Sequence, residues 1–168
     1  MQFIVSDDHA GLRAARQAVF PGALWQRCQF HLAQNAIHHA PNAAIRQRIG
    51  RELRSIWNAS SLPSAEAELR RLADSYRDQA SKLADWLQAN VPESLVVFRL
   101  PEPHRSRMRT ANPIERALQQ EIKRRTVKVR VFPNETALLR LVTAILVEID
   151  EAWSTSDRVY INVDHRNA

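Results

Sequence analysis

Apolar residues recur with two different periods along the chain, and the changes of period divide it into elements. Gln2 to Ser6 is a short apolar run rich in β-formers and stopped by Asp7 and Asp8, which predicts a buried strand. Between Gly11 and Phe20, Leu12, Ala15 and Val19 stand at helical spacing, and Pro21-Gly22 ends the run. Leu24 to Phe30 returns to period two, with Leu24, Gln26, Cys28 and Phe30 set against Trp25, Arg27 and Gln29, and predicts a second strand. Two strands joined by a helix predict a parallel pair with a right-handed crossover.

From His31 to about Val91 the spacing is helical, with Ile45, Ile49, Leu53 and Ile56 recurring every three or four residues and alanine, leucine, arginine and glutamate abundant. The next stretch, VPESLVVFRLPEPHRSRMR, holds three prolines and turns basic, and is expected to be an irregular, mobile connector. Asn112-Pro113 opens another helix, an N-cap side chain followed by proline at the first helical position, with Ile114, Leu118 and Ile122 as its stripe and an end near Thr126. VKVRVFPNE should be extended. A last helix is expected to pack Leu138, Leu141, Val142, Ile145 and Ile149 into a core, and the tail after Trp153 is polar. The elements make an α/β protein, mostly α by content.

Charge sharpens this picture. The 168-residue chain carries +6, but Arg105, Arg107, Arg109, Arg116, Lys123, Arg124, Arg125, Lys128 and Arg130 face only Glu115 and Glu121 over the same stretch, a local +7 that leaves −1 for the rest. Arginines on a helix are ordinarily a solvated face, yet this density, continued into the flanking loops, favours phosphate contacts. Cys28 is the single cysteine, so no intrachain disulfide forms and a reducing, cytoplasmic setting is expected. No apolar run approaches the roughly 20 residues of a membrane span, and no signal peptide is read at the start.

Three acids stand where chemistry could use them. Asp7 and Asp8 close a strand at the end where open parallel sheets bind ligands, although either could simply cap the following helix. Glu115 falls at the third position of its helix, where a capping box accounts for it as well as a ligand role does. Cys28 and His31 have the spacing of half a zinc site, with His9, His38, His39 or carboxylates as further donors, but a small buried thiol on a strand is the simpler reading.

Two longer motifs go beyond periodicity. SDDHAGLRAARQAVFPGALWQRCQFHLAQN resembles the S-D-x-H-x-G-L segment and the W-Q-R-C-x-x-H segment of the Mutator-type transposases of bacterial insertion sequences. TANPIERALQQEIKRRTVKVRVFPNETALLRLVTAILVEIDEAW is similar to the T-N-x-I-E-R segment, basic helix and F-P-N-E leader of the same family. The matches cover about 5–35 and 109–153.

That resemblance implies a partial RNase H-like fold with few strands retained, carrying a triad of acids interrupted by a helical insertion. It implies the second aspartate at Asp7, the glutamate at Glu115, Mg²⁺ or Mn²⁺ as cofactor, and Cys28 and His31 as the C-x-x-H pair. The first aspartate of the family lies upstream of the matched segment, so a truncated form, inactive alone, is expected, with the metal held only once that residue is supplied. The implied segments are 1–35, the second half of the core; 36–105, the helical insertion and connector; 106–153, the core helices bearing the glutamate; and 154–168, a tail. The implied function is metal-dependent DNA cleavage and strand transfer, with DNA as partner, a homo-oligomer at full length and a place at the nucleoid. A non-catalytic DNA-binding remnant and a helical interaction module are the alternatives.

Overall fold

A computed structural model describes residues 3–129 and 131–157, so Arg130 and the tail beyond residue 157 lie outside the described residues. Its elements run β1 (Phe3–Ser6), α1 (Ala10–Val19), β2 (Leu24–Arg27), α2 (Gln29–His39), α3 (Ala43–Trp57), α4 (Leu62–Tyr76), α5 (Ser81–Asn90), two 3₁₀ turns (Val91–Ser94 and Val96–Arg99), α6 (Glu102–Arg105), α7 (Asn112–Val129) and α8 (Glu135–Ser154). The chain divides into two compact units, Met1–Asn112 and Pro113–Ala168. No helix among the described residues is long and apolar enough to cross a membrane.

In the first unit β1 and β2 pair in parallel, Phe3 opposite Leu24 and Ser6 opposite Arg27. The second strand is shorter than its alternation suggested. Cys28 already caps α2, and Gln29 and Phe30 are helical, so Cys28 is a cap and not a strand residue. Residue Phe30 accordingly leaves the sheet face and stands 38% exposed. Helix α1 forms where the spacing of Leu12, Ala15 and Val19 predicts it, and it buries no residue among those described.

The core belongs to α2–α5. Leu32 and Ala36 meet Ile45, Ile49, Leu53 and Ile56 of α3, Leu69 and Tyr76 of α4, and Leu83 and Leu87 of α5, all buried. Polar caps set the helix starts: Asn42 Oδ1 accepts from Ile45 N at 2.9 Å, and Ser61 Oγ from Ser64 N at 3.3 Å. The expected connector is part of this core, since Val91, Leu95, Val97 and Phe98 are buried with it. Its three prolines lie at the starts of short helical turns, Pro92 in the first 3₁₀ turn and Pro101 and Pro103 at the start of α6, and the apolar residues of the 3₁₀ turns anchor the segment.

In the second unit α8 starts on an Asn134 cap, which accepts from Ala137 N at 2.8 Å. Its stripe is less exposed than the rest of the helix, though Ile145 is its only fully buried residue among those described. Helix α7 runs three residues past the expected end near Thr126, and Ile114 is exposed while Leu118 and Ile122 are half-buried.

Candidate metal and nucleic-acid sites

The carboxyl end of β1 holds two aspartates in different environments. Asp8 forms an ion pair with Arg13 and lies 3.5 Å from the buried guanidinium of Arg27. Asp7 makes no ion pair among the described residues; its Oδ1 accepts from Asp8 N at 2.7 Å and its carboxylate is half-buried. Neither aspartate caps α1. That place belongs to His9, whose Nδ1 accepts from Gly11 N at 3.2 Å. An unneutralised carboxylate at a strand end is a hard oxygen donor of the kind Mg²⁺ and Mn²⁺ take. Among the described residues, however, no group of three or more His, Cys, Asp or Glu is placed to hold a metal. The thiol of Cys28 is 0% exposed and lies 3.2 Å from Thr110 Oγ1, which makes it a packing and hydrogen-bonding group.

The residues around Cys28 organise this strand end. Trp25 donates from Nε1 to Ser6 Oγ at 2.9 Å and receives the Arg16 guanidinium 4.9 Å from its ring centroid. Arg27, nearly inaccessible, donates to Asn90 Oδ1 at 2.8 Å and Glu93 Oε2 at 3.0 Å as well as facing Asp8. Gln26 is fully buried: Nε2 donates to Ser94 O at 2.7 Å and Oε1 accepts from Val97 N at 2.7 Å. Gln29 Nε2 reaches Ser94 O at 3.0 Å, and Trp57 Nε1 donates to Ser94 Oγ at 2.8 Å. These bonds fasten the segment from Val91 onward to β2 and α2. Sequence reading missed Gln26, Arg27 and Ser94, although a glutamine on the same side of a strand as Leu24 and Cys28 is the signal that could have found them.

The basic residues fall into two kinds. Arg105 donates to Leu100 O at 2.9 Å and sits over the Phe98 ring, and Arg109 donates to Asn58 Oδ1 at 2.7 Å, so both are tied to the fold of the first unit. Burial, and then the like charge of Arg105, pull the Arg109 pKa below its ordinary value. On α7, Arg124 and Arg125 both bond Glu121, and Arg125 forms a two-pronged pair with Glu148 of α8 at 2.7 and 2.8 Å. Those hydrogen bonds hold the Glu121 carboxyl down at about 2 and raise the pKa of Arg125. Arg116, Lys123 and Lys128 are exposed and make no ion pair among the described residues. Glu115 is half-buried in the first turn of α7. Arg107 lies in the loop after α6, His31 is the third residue of α2, and Arg130 is not described.

Comparison with known proteins adds an independent finding. The sequence model described as "Transposase, Mutator family" matches residues 1–156. The chain is 45% identical over 159 residues to the transposase for insertion sequence element IS406 of Burkholderia multivorans, covering 95% of this chain and 40% of that protein. It is 40% identical over 164 residues to the transposase for ISRM5 of Rhizobium meliloti, covering 98% of this chain and 40% of the relative. The transposase for IS256 in transposon Tn4001 of Staphylococcus aureus is 32% identical over 165 residues, covering 97% and 42%. The chain thus spans about two fifths of the length of these curated relatives.

Proposed function

The chain belongs to the Mutator family of transposases, and on that premise we propose that it serves metal-dependent cutting and joining of DNA strands in insertion-sequence transposition. Asp7 and Glu115 are the carboxylates we assign to a shared divalent cation, Mg²⁺ or Mn²⁺. A further aspartate of the family pattern would complete the ligand set. In this reading β1, α1 and β2 belong to an RNase H-like sheet, and the helices of 36–105 are inserted between the strand that ends at Asp7 and the helix that begins near Glu115.

The physical reason is charge. DNA brings an anionic backbone to anionic carboxylates, and divalent cations relieve that repulsion while polarising the phosphoryl group, activating the attacking oxygen and stabilising the leaving one. The chain's own residues do the rest. Asp7 keeps its carboxylate available because Asp8 absorbs the neighbouring guanidinium groups. Trp25 ties the end of β1 to β2 through Ser6, and Arg27 ties β2 to Glu93 of the first 3₁₀ turn. Arg116, Lys123 and Lys128 on α7 hold the backbone by charge without reading sequence.

The observation that carries this reading is the contrast between Asp7 and Asp8. Only one of them is already neutralised. A thermal-unfolding series with Mn²⁺ on protein that includes the family's first aspartate tests it: the ion raises the melting temperature of the wild type and of Asp8→Asn, and not of Asp7→Asn or Glu115→Gln. A rise retained in Asp7→Asn and lost in Asp8→Asn would reverse the assignment.

A further inference from the structure

A groove of about 420 Å³ opens on the first unit between α2, α3 and the basic segment after α6. Phe30, Gly50, Arg54, Trp57, Asn58 and Arg109 line it, and no Asp or Glu is among its lining residues. Its size falls in the range of small-ligand sites. Phe30 keeps 38% of its surface exposed on the wall and meets the His31 ring edge-on at 5.3 Å.

Three features are not explained by packing. Gly50 sits inside α3, where glycine is disfavoured relative to alanine, yet a Cβ there would meet no atom within 4 Å. The fold does not need that space; the groove keeps it. Arg54 is exposed at the rim and makes no ion pair among the described residues. Arg109 gives one bond to Asn58, but its Nε is buried without a hydrogen-bond partner, leaving a cation with no acidic partner among the described residues beside an aromatic wall. A second hollow of about 440 Å³ shares Asn58, Ser106 and Arg109 with the first and has Glu102 and Arg105 among its other lining residues.

We propose that this groove binds an unpaired stretch of DNA strand, one base lying against Phe30 in the space left by Gly50 and the adjoining phosphates held by Arg54 and Arg109. An aromatic wall and guanidinium groups without acidic partners among the described residues suit unstacked bases on an anionic backbone, and paired bases cannot offer their faces to Phe30. The inference deepens the DNA-handling reading above and rests on it, but uses neither Asp7 nor Glu115.

Fluorescence anisotropy on the 168-residue chain tests this, with a labelled single strand of about 12 nucleotides and a blunt duplex of the same sequence. Gly50→Leu fills the groove, and Phe30→Ala removes its wall. Each is expected to weaken single-strand binding about tenfold while leaving duplex binding within about twofold. Gly50→Leu should leave the melting temperature unchanged or higher, and Phe30→Ala decides the matter if Gly50→Leu fails to fold. Arg54→Gln should flatten the salt dependence of single-strand binding. Single-strand affinity unchanged in both groove variants, or lowered equally for duplex, would overturn the proposal. A wild-type chain that binds no DNA would instead count against the function proposed above.

Discussion

Asp7 and Asp8 are adjacent and chemically identical, and their partners separate them. Asp8 pairs with Arg13 and faces the Arg27 guanidinium, whose side chain is only 5% exposed, so removing the Asp8 charge frees Arg13 and leaves buried Arg27 with Glu93 alone as its acidic partner among the described residues. Asp8→Asn is therefore expected to cost about 1–3 kcal/mol in urea unfolding, whereas Asp7→Asn should fall within about 0.5 kcal/mol of wild type. Equal costs would mean that Asp7 is also structural. The sequence located both acids at a strand end but could not say which was neutralised, because Arg27 reaches Asp8 through a strand pairing that local pattern does not encode. The cap of α1 was similarly hidden: two aspartates are the usual capping choice, and His9 takes the role.

At the scale of elements, helices with strong stripes were legible and short polar-buried segments were not. Ile45, Ile49, Leu53 and Ile56 announce α3 and its buried face. The stretch from Val91 to Leu100 reads as a proline-broken connector because its order depends on Gln26 and Gln29, about 65–71 residues away in sequence. Gln26→Leu should cost on the order of 3 kcal/mol by urea unfolding, since it leaves Val97 N buried without its acceptor and removes one of the two donors to Ser94 O, the other being Gln29; a cost near zero would show the clamp to be incidental. Helix α7 gives a pH prediction. Its Glu121 carboxyl, held at about 2 by Arg124 and Arg125, is depressed below the ordinary value of 4.5, so its stabilising effect is present above pH 4.5 and is lost as pH falls towards 2. Circular dichroism of α7 and α8 should show helix loss between pH 4.5 and 2. The loss should shrink in Glu121→Gln and in high salt, because these pairs are solvent-exposed.

At the scale of the whole molecule, the basic stretch is the feature composition showed most directly, though only part of it is available. Glu121 and Glu148 already occupy Arg124 and Arg125, while Arg116, Lys123 and Lys128 remain exposed. Replacing those three by glutamine should lower the slope of log affinity against log salt for duplex DNA by about 2–3, and replacing Arg124 and Arg125 should lower it by less. The reverse ranking would mean that DNA displaces the ion pairs. Family membership was legible in two motifs; whether Asp7 and Glu115, 108 residues apart, share one ion, as proposed above, was not, because that depends on tertiary placement beyond any local pattern. The most direct measurement is affinity cleavage: Fe²⁺ with ascorbate generates radicals that cut the polypeptide beside the bound ion, and mass spectrometry maps the cuts. If the two carboxylates share an ion, cuts fall near both Asp7 and Glu115, are competed by Mg²⁺ and are lost in Asp7→Asn or Glu115→Gln. Cuts near one site alone and unchanged by substitution at the other, or cuts near neither, would contradict a shared ion.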